Sequence, residues 1–356
     1  SPIGPVVFMD TAGIDDVGDL GAARVQKSLS VLEWMDIAIV VCEAKTWGEH
    51  EENILRKTKL NGTPTIVVFN KTDLQAPSET QVQDLRARGY KVVQTSAANR
   101  EGIAELRDAI IATVLEQTEP DRPLMGELAK AGDTVILVTP IDTGAPKGRL
   151  ILPQVQAIRE LLDAGAKCMV IKEDRITETL NELKDPPQLV VTDSQVVLRV
   201  VKEVPEPIPV TTFSIQMAYS KSDLLEMAIG AATLTKLKPG DRVLIAETCS
   251  HHPLKDDIGR VKIPNWLKKN FGDLNIEIAV GKDFPTDLTP YKVIIQCGGC
   301  IVTRRHMLAR LRQAKAQGVP MTNYGVTISL LQGVLPRVLA CHPDAKAAFD
   351  KALSAL

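Results

Sequence analysis

The sequence predicts an α/β protein of three domains with mainly parallel sheets, and three observations carry that prediction. Apolar, β-branched runs recur along the chain: DIAIVVCEA, PTIVVFN, DTVILVTPI, KCMVIK, QLVVTD, DRVLIAE and KVIIQ. Segments with helical apolar spacing lie between them, as in LPQVQAIRELLDAG and RRHMLARLRQAKAQG. Strands alternating with helices build parallel sheets, because each crossover must return the chain to the same end of the sheet. Two proline-bearing breaks then divide the pattern. LEQTEPDRPLMGELAKAGD interrupts it near Pro120 and Pro123, and KEVPEPIPVTTF, with Pro205, Pro207 and Pro209, reads as an extended connector that cannot continue a helix. The resulting partition is 1–118, 119–206 and 207–356. No short internal repeat is visible.

Composition sets the class. A chain of 356 residues has room for two or three domains and ample core. Hydrophobic residues make up 44%, charged residues 24%, and the net charge is −2. That balance argues against nucleic acid as a main partner, which would favour a basic face. Neither an apolar run of about 18 residues nor a cationic-then-apolar leader occurs, so no membrane span and no signal peptide are expected. The six cysteines, Cys42, Cys168, Cys249, Cys297, Cys300 and Cys341, are too few for a disulfide scaffold of this size. Reduced thiols in a cytoplasmic protein are the better reading.

In residues 1–118 three motifs occur in the order of a guanine-nucleotide-binding (G) domain, each after an apolar run. DTAG spans Asp10 to Gly13 and follows Pro5 to Met9, which should form a buried strand. Asn70-Lys71-Thr72-Asp73 follows TIVVF, and Thr95-Ser96-Ala97 follows KVVQ. Each has a physical role. Asp10 can hold Mg2+ through water and the Gly13 amide can meet a γ-phosphate of GTP. The Asp73 carboxylate can accept from guanine N1 and N2, which adenine cannot match. Asn70 and the Ala97 amide, with Ser96 beside it, suit the O6 side, and the Lys71 stem can lie over the base. Ile14 stands where Ras-like GTPases place a water-orienting glutamine, so slow hydrolysis is expected. No GxxxxGK[ST] phosphate loop precedes DTAG, so residues 1–118 read as the C-terminal part of a G domain, and the chain as given should bind GTP poorly.

Residues 119–206 show no catalytic constellation; their apolar βαβ units suit pairing across a two-fold axis. Residues 207–356 hold the sharper signal. Cys249-Ser250-His251 follows the strand DRVLIAE, and Cys297-Gly298-Gly299-Cys300 follows KVIIQ. In open α/β sheets, sites form at the carboxyl ends of parallel strands, so both groups should converge on one edge. The CxxC pair can grip one centre, its glycines allow tight turns, and the helix starting at TRRHMLARLR would favour thiolate at Cys300. Three cysteines with one other ligand suit either a 4Fe–4S cluster or a Cys3His zinc.

Together these residues resemble the iron–iron hydrogenase H-cluster maturation GTPases, the HydF family. The likeness extends through VTPIDTGAPKGRLILPQVQAIRELLD, VVTDSQ and FSIQMAYSKSDL to essentially the whole chain. What it implies is a GTPase by kinship, a G domain, a dimerisation domain and a cluster-binding domain in that order, with a CxH…HCxxC motif. Cys249, Cys297 and Cys300 match the cluster cysteines and His251 matches the histidine of CxH. The histidine before CxxC is Gln296 here, which leaves the fourth ligand open: His251 first, then His252 or Glu247, with water or an exogenous ligand as further alternatives. Relative to the family, the first strand, phosphate loop and switch I are missing from the sequence. The resemblance implies a homodimeric, cytoplasmic scaffold that accepts a diiron precursor bearing CO and cyanide. That cargo is made with the radical-SAM maturases HydE and HydG and passes to apo-hydrogenase, with GTP use regulating partner exchange. A zinc-stabilised regulatory GTPase and a dimeric interaction module are the competing readings.

Other residues are expected to be structural. Cys42 and Cys168 read as core thiols, Cys341-His342-Pro343 as a loop and helix start, His306 as an exposed helix face, and Lys147, Arg149 and His50 as surface.

Overall fold

The computed structural model describes residues 3, 6–11, 35–117, 122–141, 148–248, 257–281 and 283–355. Gly13, Ile14, Lys147, Cys249, His251 and His252 lie outside the described residues. The chain forms two compact units, residues 1–120 and 121–356.

In the first unit the strands β1 (Ala38–Glu43), β2 (Thr65–Asn70) and β3 (Lys91–Gln94) form a parallel sheet in the order β1-β2-β3. Alternate residues of β2 face opposite ways, so each face needs its own cover. Val67 and Phe69 pack with Leu55 of α1 (Glu49–Leu60) and with Val82 and Leu85 of α2 (Glu79–Ala87). Ile66 and Val68 pack with Leu106, Ala109 and Ile110 of α3 (Ile103–Gln117). The run ahead of DTAG departs from expectation. Residues 6–11 are irregular, with Val7 and Phe8 82% and 72% accessible. A strand exists by pairing, and among the described residues the ladders of this sheet join β1 to β2 and β2 to β3.

The second unit contains two four-stranded parallel sheets. The first has β4 (Thr134–Val138), β5 (Lys167–Ile171), β6 (Leu189–Thr192) and β7 (Val210–Thr212) in the order β5-β4-β6-β7. The second has β8 (Arg242–Glu247), β9 (Asn275–Val280), β10 (Val293–Gln296) and β11 (Met321–Asn323) in the order β9-β8-β10-β11. Numbered within each sheet, both orders read 2-1-3-4. The intervening helices are α4 (Leu152–Asp163), α5 (Ile176–Glu182), α6 (Val197–Glu203) and α7 (Phe213–Lys221), then α8 (Leu224–Leu234), α9 (Ile263–Phe271), α10 (Arg304–Ala316), α11 (Tyr324–Leu331), α12 (Leu335–Val338) and α13 (Pro343–Ala355).

The match extends to single hydrogen bonds. The first strand of each sheet is entered through KAGD (130–133) or KPGD (238–241), whose Gly132 and Gly240 take φ of 89° and 90°, a left-handed turn that glycine adopts without strain. Asp133 accepts from the Lys130 amide at 2.7 Å, and Asp241 from the Lys238 amide at 2.8 Å. The fourth strands run into helices through PVTTFSIQMA (209–218) and PMTNYGVTIS (320–329), where Thr212 and Asn323 each cap the amide three residues on. The sequence hides this long repeat because few residues are kept, among them the Lys, Gly and Asp of the entry turn, Val135 and Val243, and Thr211 and Thr322.

The two sheets share one core. Ile136, Val138, Val190 and Val210 of the first pack in a single cluster with Val243, Leu244, Ile294 and Ile295 of the second. The other face of the first sheet packs Leu137, Leu189 and Val191 against Ala157 and Leu161 of α4. The proline-rich stretch at 205–209 therefore lies inside the first sheet and does not mark its end. It delivers the chain into β7, which pairs with β6, and the changeover between sheets falls after α7 instead of at 206.

Candidate functional site

The first unit brings together the residues expected to recognise a guanine base. β2 ends at Asn70, whose Oδ1 accepts from the Ala97 amide and from Thr95 Oγ1, both at 3.1 Å. Ser96 Oγ donates to Asp73 Oδ1 at 2.5 Å. The two loops are thus tied edge to edge, with the Asp73 carboxylate held in place. Lys71 takes φ of 60°, unusual for a residue with a Cβ, and its ammonium bonds Glu43 at 2.5 Å. That bond raises the Lys71 pKa above its ordinary value and lowers that of Glu43. Asp10 lies exposed on the irregular stretch and takes no part in this network.

In the second unit, the carboxyl ends of β8 and β10 meet at the point where strand order reverses, the usual position for a site in such a sheet. Cys297, the residue after β10, is half-buried there. Its sulfur accepts from the Thr248 amide at 3.2 Å and from Gln296 Nε2 at 3.5 Å, and lies 3.1 Å from Thr248 Oγ1. Thr248 directly precedes Cys249, so the end of β8 reaches Cys297 as expected. Donors converging on one sulfur orient it as the surroundings of a metal-ligating sulfur do. Gly299 turns at φ of 64°, and a Cβ there would collide with the Met307 thioether. α10 then starts at Arg304, capped by Thr303 accepting from the His306 amide. Among the described residues no three His, Cys, Asp or Glu side chains are gathered as a metal-holding group. The donors meet the Cys297 sulfur, whereas the Cys300 side chain packs against the cluster of Leu124, Phe213 and Met217. The CxxC spacing on a tight glycine turn and the donors at Cys297 are what suit a thiolate-bound centre.

Behind Cys297 lies a buried polar network that sequence reasoning missed. Gln296 gives one amide hydrogen to Ala246 O at 3.1 Å, and its Oε1 accepts from Arg310 Nη1 at 3.1 Å. Arg310 also donates to Glu247 O and Gly281 O, and its guanidinium lies 4.6 Å from the Phe284 ring centre. Burial pulls its pKa down, with the charge of Cys297 opposing. A sequence signal existed: Met307, Arg310, Leu311 and Ala314 form the buried face of α10, so an arginine sits on an apolar stripe. Glu247, one of the expected ligands, is committed elsewhere, its Oε2 paired with Arg260 at 3.0 Å.

The CGGC loop is also fastened to α7. Lys221 Nζ donates to the carbonyls of Gly299, Cys300 and Val302 at 3.3, 2.9 and 2.9 Å. Arg304 Nη1 returns the contact to Ser220 O and Ser222 O at 2.7 and 2.9 Å. Of the residues set aside, Cys42 is buried, its thiol pushed up to about 12 chiefly by desolvation, and His50 is exposed. His306 is half-buried where an exposed face was expected. Burial and the Arg310 charge push its pKa down to about 4. His342 precedes α13 as a helix start should, and it contacts Gln216 at 2.9 Å.

Family models match this unit along almost its whole length. Residues 124–222 match the hydrogen maturase F dimerisation domain, and residues 225–341 match the hydrogen maturase F tetramerisation domain. The chain belongs to the hydrogen maturase F family. Its two self-association domains coincide with the two matched sheets, the first model ending after α7 and the second ending before α13. Similarity to GTPases accompanies the family match. The chain is 34% identical over 107 residues to the tRNA modification GTPase MnmE of Bacillus velezensis, covering 30% of this chain and 23% of that protein. It is 31% identical over 133 residues to GTPase Era of Thermosipho melanesiensis, covering 33% and 44%. It is 29% identical over 125 residues to GTPase Der of Solidesulfovibrio magneticus, covering 34% and 28%. The chain therefore spans less than half the length of these relatives. Among the described residues no helix is long and apolar enough to cross a membrane.

Proposed function

We propose that this chain is a scaffold in iron–iron hydrogenase maturation, with a thiolate-ligated 4Fe–4S cluster held by Cys297, Cys300 and Cys249. The observation that carries this reading is the Cys297 sulfur, which Thr248 and Gln296 surround with donors at the switch point of the second sheet. His251 and His252 follow Cys249 closely enough in sequence to complete the ligand set. Glu247 could do so only by leaving Arg260. The cluster would supply an iron site at which a diiron precursor bearing CO and cyanide can be held as cargo. The protein residues hold the sulfurs, exclude water behind Cys297 and fix the loop to α7. On this reading HydE and HydG supply the cargo, apo-hydrogenase receives it, and the chain works in the cytoplasm as a homodimer through residues 124–222. The first unit would read guanine through Asn70, Lys71, Asp73, Ser96 and Ala97, with Asp10 and Gly13 serving Mg2+ and the γ-phosphate, so that GTP regulates partner exchange.

The test is anaerobic reconstitution with iron and sulfide, measuring iron, sulfide and zinc per chain and the EPR of the dithionite-reduced protein. About four irons per chain, with a reduced-cluster signal lost in a Cys249→Ser, Cys297→Ser, Cys300→Ser triple variant, is the expected result. Stoichiometric zinc that excludes iron would sink the scaffold reading.

A further inference from the structure

Arg310 is only 5% accessible, and among the described residues no carboxylate pairs with it. Its hydrogen bonds go to Gln296 Oε1 at 3.1 Å, Glu247 O at 3.3 Å and Gly281 O at 2.5 Å, and an aromatic ring, Phe284, lies beside it. Every one of these partners is neutral. The nearby buried carboxylate, Glu247, has a side chain 2% accessible and is paired with Arg260 instead. A buried cation with dipoles but no counter-ion is costly, because carbonyls replace only part of the water it gave up. A fold that keeps such a charge on the inner face of a helix, where Met307, Leu311 and Ala314 are its neighbours, has an anion to set against it.

The network leads to that anion. Gln296 accepts from the guanidinium through Oε1 and donates through Nε2 to Cys297 Sγ at 3.5 Å. A cation drawing on the amide oxygen polarises the amide so that its N–H becomes a better donor to sulfur. We propose that Arg310 is the built-in counter-charge of the anionic group bound at Cys297 and Cys300, and that it acts through Gln296 to raise the reduction potential of that group. It is a positioning residue and touches no iron. Reduction adds an electron to an already negative thiolate-ligated cluster, so a fixed cation behind one sulfur favours the reduced form. The inference rests on the iron–sulfur reading above.

The experiment is a potentiometric titration of the anaerobically reconstituted full-length protein, followed by EPR, with iron per chain and thermal unfolding measured alongside. Arg310→Met, which keeps the apolar stem and removes the charge, is expected to retain its iron and to shift the reduction equilibrium at least about tenfold toward the oxidised cluster, about 59 mV more negative for one electron. Arg310→Lys should recover part of the shift, since it restores charge without the planar fork. Gln296→Glu keeps the shape and gives Arg310 a carboxylate in place of the amide donor to Ala246 O, a second variant whose folding is read from the same thermal unfolding. It sets a carboxylate beside the sulfur and should also move the potential negative. Wild-type and unmoved potentials in Arg310→Met and Gln296→Glu, with iron retained, would overturn the role of Arg310 alone. Failure of the wild-type protein to take up iron would overturn the cluster reading and this inference with it.

Discussion

The two sheets of the second unit have one design and different contents. Both run 2-1-3-4, both are entered through a K-x-G-D turn, and both present a switch point between their first and third strands. In the second sheet that point carries Gln296 and Cys297, with a charged guanidinium beneath them. In the first, Thr192 and Asp193 occupy the matching positions, and Asp193 is spent on capping a short turn by accepting from the Gln195 amide at 2.9 Å. The helix that follows differs in the same sense: α6 buries Val197 and Val200, whereas α10 buries Arg310. A fold can therefore offer the same crevice twice while the residues make a sulfur site of only one.

That comparison can be broken most forcefully at the shared core. Ile136 and Leu244 occupy matching positions on β4 and β8 and pack in the same cluster. Replacing either with alanine should cost about 2–5 kcal/mol. Because the cluster is continuous, hydrogen exchange should show both β4 and β8 losing protection in either variant. Loss confined to the substituted sheet would mean that the halves are energetically separate.

A smaller effect probes the place where matching positions meet. Ser214 and Gly325 are the second residues of α7 and α11, and a Cβ at Gly325 would strike the Ser214 Cβ. Gly325→Ala should cost about 1–3 kcal/mol through overpacking, and Ser214→Gly in that background should restore part of it. Denaturant unfolding of the two single variants and the double measures the coupling, and strict additivity would contradict the contact.

A last effect, confined to acid pH, separates the halves. Gln216 and Tyr219 of α7 meet His342, whereas the matching residues of α11, Thr327 and Leu330, have no such partner among the described residues. Burial pushes the His342 pKa down to about 4. The unfolded imidazole titrates near about 6.5, so between these values the unfolded chain binds a proton that the native one refuses. The contribution is present in full above about 6.5 and is lost as pH falls through about 4. His342→Gln should remove roughly 1–3 kcal/mol of this acid sensitivity, seen as a flatter dependence of the unfolding midpoint on pH.

Strand runs were legible because burial on both faces demands β-branched residues, and every run from DIAIVVCEA to KVIIQ contains a strand. That Asn70, Asp73, Ser96 and Ala97 would be neighbours was legible because short loops after adjacent parallel strands carry them. The apolar run before Asp10 misled, since apolar character cannot supply a pairing partner. The long repeat was hidden because few of its residues are kept. Lys221 was hidden for another reason: it acts across 78 to 81 positions in the chain on backbone carbonyls, and no residue type marks a carbonyl as an acceptor.

The same lysine has a mechanical consequence. α7 lies in the segment matched to the dimerisation domain, and its last side chain grips three carbonyls of the CGGC turn while Arg304 grips back. The joint is double-ended, with a side chain from each partner reaching backbone carbonyls of the other. A displacement of α7 would therefore be felt first at the three carbonyls that Lys221 holds, in the turn that contains Gly299. The cysteine turn is thus geared to the assembly half of the molecule.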